Sequence, residues 1–135
     1  GSEIFQASPD KILSLINNFE VYKEFLPGCL ESSRLPGSEE GMVSGRLVFS
    51  ILNKTHSFES KNKTTGFEVH ISQSRGPFLY FHALWSLEPI DERHTKVKFI
   101  TNFSLPLYLE IFVTQSLTDK MGIKFINAFG KQLLR

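Results

Sequence analysis

Strict alternation of apolar and polar residues fills the middle of the chain and ends at one long segment without proline. Between residues 43 and 105 the period is two, which is typical of strands whose side chains point to opposite faces. The turns Thr65-Gly66, Gly76-Pro77 and Asp91-Glu92 interrupt this pattern, and we expect a strand to begin at Phe67. Turns this short join antiparallel neighbours, because parallel strands need a crossover of about a dozen residues or more. The pattern therefore predicts an antiparallel meander.

Helical patterns flank the meander on both sides. Ser8-Pro9-Asp10 has the composition of a helix start, with serine as N-cap, proline at the first helical position and an acid in the first turn. Residues 22–25 predict a second short helical turn, which stops at Pro27-Gly28. The chain from residue 107 to residue 135 holds no further proline and predicts one helix of about 25 residues or more.

These elements predict an α+β helix-grip fold in which the sheet curls around the last helix. A single helix covers one face of an antiparallel sheet, so six or seven strands can bury both elements only by curling. We expect a short first strand, two short helices, the meander and the long helix, in one domain over residues 1–135. Gly1-Ser2 is interpreted as a cloning remnant, so we expect the natural N-terminus to be missing.

Phenylalanine accounts for 13 of the 135 residues, and many of these stand at inward-facing positions of the predicted strands and helix. Side chains this large can outline a space between sheet and helix as well as fill one. The pattern leaves two interpretations open, an ordinary aromatic core and an apolar ligand pocket. The residues that we predict to form the wall or mouth of such a pocket are Phe25, Leu26, Phe58, Phe78, Phe81, Trp85, Phe103, Met121 and Phe125.

Local signatures of common catalytic and metal sites are absent from the sequence. The four histidines fall in separate strands or strand starts, without HExxH spacing: His56, His70, His82 and His94. His82 has the opposite parity to Phe81 and Trp85, so we expect it to face away from the pocket. The lone Cys29 excludes an internal disulfide, and we expect a free structural thiol. We predict no metal, no required cofactor, no catalytic residue and no enzymatic activity.

Charge argues against a dedicated polyanion binder, because the formal net charge is only +1, and we expect no DNA partner. At 100° per residue, the apolar residues of the last helix share one broad arc, called the apolar arc below: Leu117, Met121, Phe125, Ala128, Phe129 and Leu133. Four basic residues share a narrower arc beside it, called the basic arc below: Lys120, Lys124, Lys131 and Arg135. This arc either contacts phosphate, in RNA or at a membrane surface, or is a solvated helix face. The single cysteine predicts a reducing, intracellular compartment.

Two motifs resemble those of a known family. The segment Tyr22-Lys23-Glu24-Phe25-Leu26-Pro27-Gly28-Cys29 resembles the Y-x-E-F-L-P-x-C segment of the coenzyme Q-binding and ribosome-association toxin (RatA) family. Gly76-Pro77-Phe78, followed by Trp85 and then Leu87-Glu88-Pro89, resembles that family's G-P-F…W-x-F-x-P strand. Asn127-Ala128-Phe129 in the last helix is similar too, and the matches keep their order over nearly the whole chain.

The resemblance implies a START-like, polyketide cyclase/dehydrase-like domain with an apolar cavity. It implies non-enzymatic binding of ubiquinone or a similar isoprenoid or lipid, in support of respiration. The expected location is the bacterial cytoplasm or the membrane periphery, or the mitochondrial matrix side in a eukaryote. It equally implies an alternative, inhibition of ribosome association through binding to the large ribosomal subunit. A cyclase or dehydratase reaction is the third implied activity. Gly28 and Ala83 depart from the residues common in the family, so the ligand stays open while the fold is predicted.

Overall fold

A computed structural model describes residues 2–36, 41–51, 54–106 and 115–135, with side chains for all of these except residue 51 and residues 115–119. Within these residues the strands are β1 (Ser2–Phe5), β2 (Cys29–Leu35), β3 (Met42–Ile51), β4 (Lys54–Thr65), β5 (Glu68–Arg75), β6 (Tyr80–Pro89) and β7 (Thr95–Ser104). The helices are α1 (Pro9–Ile16), a short 3-10 helix (Phe19–Val21), α2 (Tyr22–Phe25) and α3 (Gln115–Gln132).

The strands form one antiparallel sheet in the order β1-β7-β6-β5-β4-β3-β2. The meander from β2 to β7 follows the chain, and β1 returns to pair with β7. The two edge strands are therefore the ones that α1 and α2 connect. The sheet curls around α3, as predicted, and Trp85 of β6 meets Phe129 of α3 with ring centroids 5.0 Å apart. The α+β helix-grip fold is confirmed, with seven strands.

The start of α1 has the predicted cap. The Ser8 hydroxyl accepts a hydrogen bond from the backbone N–H of Lys11 at 3.4 Å, and Pro9 opens the helix. Ile12 and Ile16 of this helix are completely buried. The helix α2 ends before Pro27-Gly28, as predicted. Gly28 has φ +78°, a backbone conformation that residues with a Cβ rarely adopt.

Three details of the predicted elements are wrong. Phe67 lies in the turn between β4 and β5, not in a strand, and is 44% exposed. The last helix ends at Gln132 rather than at Arg135, while residues 107–114 of the predicted helix lie outside the described residues. The buried stripe of α3 includes Ile126, whereas Met121 is 42% exposed, because the helix is rotated about its axis relative to the predicted apolar arc.

A buried polar network joins α1 to the inner face of β4. The Asn62 amide donates hydrogen bonds to the Asn17 side-chain oxygen at 3.2 Å and to the Ile16 carbonyl at 3.4 Å, and accepts one from the Ser60 hydroxyl at 3.1 Å. The Tyr22 hydroxyl also donates to the Ile16 carbonyl. Burial raises the pKa of Tyr22 far above its usual range, so this hydroxyl stays a donor. The network fixes the end of α1 on the sheet.

Candidate functional site

The inner face of β6 and β7 is filled at one end and open at the other. Directly opposite residues of an antiparallel pair share a face. Beyond the terminal pair Pro89–Thr95, the inward-facing pairs of these strands are Leu87–Val97, Trp85–Phe99, Ala83–Thr101 and Phe81–Phe103. Val97 and Trp85 are each 1% exposed, but Phe103 is only half-buried. Thr101 is exposed, although its register places it on the core face. The inner face therefore opens towards Thr101.

Ring contacts fill the closed end of this face. The Trp85 ring centroid lies 4.6 Å from that of Phe99, 5.0 Å from that of Phe129 and 6.3 Å from that of Phe125. Phe25 of α2 contacts Phe129 edge-on at 5.1 Å. Trp85 and Leu26, which the sequence predicts in a pocket wall, are both buried members of the core here, and α3 packs onto Trp85 through Phe125 and Phe129. Their role in binding stays a prediction.

Four of the predicted pocket residues meet at the open end. This aromatic cluster consists of Phe58, Phe78, Phe81 and Phe103, with ring centroids 5.0–5.9 Å apart. Phe58 is buried, while the other three rings are half-buried. The cluster draws on β4, β6, β7 and the turn before β6, so only the register of the whole sheet brings it together. It forms an apolar wall beside Thr101.

A side-chain clamp that the sequence analysis missed holds Phe78 in the cluster. The Gln73 amide nitrogen donates to the Phe78 carbonyl at 2.9 Å, and the Phe78 N–H donates to the Gln73 side-chain oxygen at 3.1 Å. Gly76 leaves room for this clamp, since a Cβ there would lie 2.2 Å from that oxygen. A glutamine before a Gly-Pro turn was the available signal, because its amide can pair with the turn's backbone.

The basic arc lies on the side of α3 opposite to the buried residues Ile126, Phe129 and Leu133. All four of its cations are exposed: Lys120, Lys124, Lys131 and Arg135. Arg135 follows the end of the helix. Ile123 and Leu134 are exposed beside the arc, so this surface is both cationic and partly apolar. The structure thus leaves the arc accessible to a partner, as either interpretation of it requires.

A polar cleft of about 490 Å³ lies outside the space between the sheet and α3. Its lining comes from α1, the 3-10 helix, β2 and β3: Asp10, Leu13, Ser14, Asn17, Asn18, Phe19, Glu20, Arg34 and Val43. The sequence analysis did not predict this cleft, because it depends on how α1 and the 3-10 helix are placed relative to β2 and β3. Its mixed charges differ from the apolar lining expected of a lipid pocket.

The environments of the cysteine and the histidines agree only in part with those predicted from the sequence. Cys29 is free and buried, as predicted, and burial raises the pKa of its thiol, which suits a structural residue. His82 faces away from Trp85, as predicted from its parity. His70 and His82, predicted as separate residues, lie side by side with ring nitrogens 3.3 Å apart. Strand pairing between β5 and β6 brings them together.

The fold has known counterparts. Residues 5–126 match the family described as polyketide cyclase / dehydrase and lipid transport. The chain belongs to this family. Solved structures with a similar fold include TTHA0849 from Thermus thermophilus, which has a TM-score of 0.85 and 16% sequence identity. The match covers 99% of this chain and 94% of that chain. The Zhui aromatase/cyclase from Streptomyces has a TM-score of 0.84 and 12% identity, covering 100% and 92% of the two chains.

Curated relatives of this chain are named as toxins. The ribosome association toxin RatA of Vibrio cholerae is 29% identical over 133 residues, covering 97% of this chain and 91% of that protein. RatA of Escherichia coli is 25% identical over 123 residues, covering 90% of this chain and 77% of that protein.

None of the helices in the described part of the chain has the length and apolar character needed to cross a bilayer.

Proposed function

We propose that this protein binds a lipophilic small molecule, ubiquinone or a similar isoprenoid or lipid, at the open end of the inner face, in support of respiration. The observation that carries the proposal is the exposure of Thr101. This residue faces inward and lies between two aromatic positions of the same strand, Phe99 and Phe103. A core position with solvent access is expected where a ligand replaces protein side chains. The family description, which includes lipid transport, supports the same class of ligand.

The chemistry of this face suits such a ligand. Burial of an apolar tail against the aromatic cluster would contribute about 0.8 kcal/mol for each CH₂ group. The Thr101 hydroxyl would offer one hydrogen bond to the polar end of the ligand, for example a quinone carbonyl. A molecule with a long apolar tail and a small polar head therefore fits better than a sugar or a nucleotide.

Binding without reaction fits this face better than a cyclase or dehydratase reaction. Such a reaction needs an acid or base beside the substrate. The inward-facing residues of β6 and β7 in the described structure are apolar or threonine: Phe81, Ala83, Trp85, Leu87, Thr95, Val97, Phe99, Thr101 and Phe103. A substrate held there would find no titratable side chain on these two strands. The proposal is therefore of a binding protein.

Titration with a short-chain ubiquinone analogue tests the proposal through the emission of Trp85, the single tryptophan. We expect a saturable change, because Trp85 contacts Phe99, whose strand continues to Thr101. Thr101→Arg should weaken binding by roughly tenfold or more, about 1.4 kcal/mol, since it places a charge on the apolar face. A parallel titration with a long-chain fatty acid separates quinones from other lipids.

Asn102→Arg is the matched control for that experiment. It introduces the same side chain one residue later, on the outer face of the same strand, and should leave the affinity unchanged. The binding proposal fails if the wild-type protein shows no saturable response to either lipid, or if both arginine variants bind as tightly as the wild type.

A second function, inhibition of ribosome association, is favoured by the names of the curated relatives and by the accessible basic arc. Lys120→Glu together with Lys124→Glu should then reduce cosedimentation with large ribosomal subunits at least tenfold, because phosphate contacts contribute much of the affinity for RNA. Lys61→Glu with Lys63→Glu makes the same charge change on exposed positions of β4 and serves as control. Equal cosedimentation of the two double variants would show that the arc is not the contact.

A further inference from the structure

The outer face of the sheet carries a histidine pair, His70 and His82, on two adjacent strands. In the β5–β6 register His82 is opposite Ser72, so His70 and His82 are diagonal neighbours on the face away from Trp85. The His70 Nδ1 and His82 Nε2 atoms are 3.3 Å apart. His70 is partly exposed, with 43% of its side chain accessible, and His82 is half-buried. Both imidazoles are held on paired strands rather than on a loop.

Glu68 contacts the other ring nitrogen of His70. The Glu68 Oε2 atom lies 3.3 Å from His70 Nε2, so the ring can donate its Nε2–H to the carboxylate. A neutral imidazole with Nε2 protonated has a free lone pair on Nδ1, and that atom is the one that faces His82. A carboxylate that orients a histidine through its remote N–H is the usual support of a histidine that ligates a metal.

The separation of the two nitrogens matches the spacing that one metal ion needs. Imidazole nitrogens bind Zn²⁺ at about 2.0–2.1 Å, and tetrahedral geometry then places two of them about 3.3–3.4 Å apart. We propose that His70 and His82 form a two-histidine site for a borderline divalent metal ion, Cu²⁺, Ni²⁺ or Zn²⁺, with Glu68 as the positioning residue. The remaining coordination positions belong to water, because no three metal-ligating side chains among the described residues are placed to bind one ion together.

The charged side chains around the histidine pair affect which metal ions can bind there. Lys63 of β4 is directly opposite His70 and exposed, so it disfavours a cation there, though solvent screens its charge. Glu68, whose carboxylate contacts His70, offsets this charge. Two imidazoles and water suit borderline metals rather than Mg²⁺ or Ca²⁺, which prefer oxygen ligands. Among the borderline ions we expect Cu²⁺ to bind most tightly and Zn²⁺ more weakly, following the general order of affinities.

Calorimetric titration of the purified protein with CuCl₂ and with ZnCl₂ tests this site, with no other ligand added. We expect one equivalent to bind saturably, and His70→Ala or His82→Ala to weaken that binding tenfold or more. Glu68→Gln keeps the shape of the side chain but removes its charge, and should weaken binding about tenfold, the lower limit typical for the loss of a supporting carboxylate.

His94→Ala is the matched control, since His94 also lies beside a carboxylate, with its Nδ1 2.9 Å from Asp91 Oδ1, but outside the pair. It should bind both metals as the wild type does, and circular dichroism should show that all four variants are folded. The proposal is overturned if the wild-type protein binds neither metal saturably. It is equally overturned if His70→Ala and His82→Ala both keep wild-type affinity, or if only His94→Ala loses binding.

Discussion

Replacement of Trp85 by alanine should lower the free energy of unfolding by about 3–5 kcal/mol, the usual cost of removing a large buried aromatic side chain. Trp85 is 1% exposed and contacts rings from three positions, Phe99, Phe125 and Phe129. It therefore joins the sheet to α3, and its loss leaves a cavity at that junction. Urea unfolding followed by far-ultraviolet circular dichroism measures the change without relying on tryptophan emission.

Tyr80→Ala is the control for this prediction, because Tyr80 lies on the same strand but is largely exposed. Its effect should stay within about 0.5 kcal/mol, as for most surface substitutions. A loss of less than about 1 kcal/mol for Trp85→Ala would contradict the packed junction. In that case the closed end of the inner face would already contain unfilled space, and the ligand site proposed at Thr101 would extend towards Trp85.

The parts of this fold that could be predicted from the sequence are those that local chemistry determines. The Ser8 cap, the proline at the start of α1 and the glycine after α2 each act within a few residues. Alternation along a strand gives the face of each side chain, which is why His82 was predicted to point away from Trp85. The curled sheet follows as well, because one helix and a long meander have few other ways to bury their apolar faces.

Features that depend on register or on helix rotation could not be predicted. Parity gives the face of His70 and of His82, but not that β5 and β6 pair with these residues diagonal to each other. The apolar arc predicted for α3 is broad, and tertiary packing selects a rotation that buries Ile126 and exposes Met121. The clamp of Gln73 on Phe78 also depends on the conformation of a turn that composition alone does not specify.

Gly45→Ala should destabilise the protein by about 1–3 kcal/mol, the usual cost of overpacking a core. Gly45 lies in β3 under the ring of Phe19, and an added Cβ would come within 2.3–2.5 Å of three ring carbons. Phe19 is itself buried, so the ring cannot move away freely. Gly122→Ala makes the same chemical change in α3, where nothing lies within 4 Å of the new Cβ. It should instead stabilise the protein by up to about 1 kcal/mol, the helix propensity difference.

The opposite signs of these two variants, measured by urea unfolding, separate steric overlap from the general preference for alanine. A double-mutant cycle with Phe19→Leu identifies the overlapping partner. The smaller side chain should make Gly45→Ala less costly than in the wild-type background, with a coupling free energy of at least about 0.5 kcal/mol. If Gly45→Ala costs the same in both backgrounds, the ring of Phe19 does not determine the need for glycine in β3. The packing of the 3-10 helix against β3 would then have to be looser than the contact at Gly45 indicates.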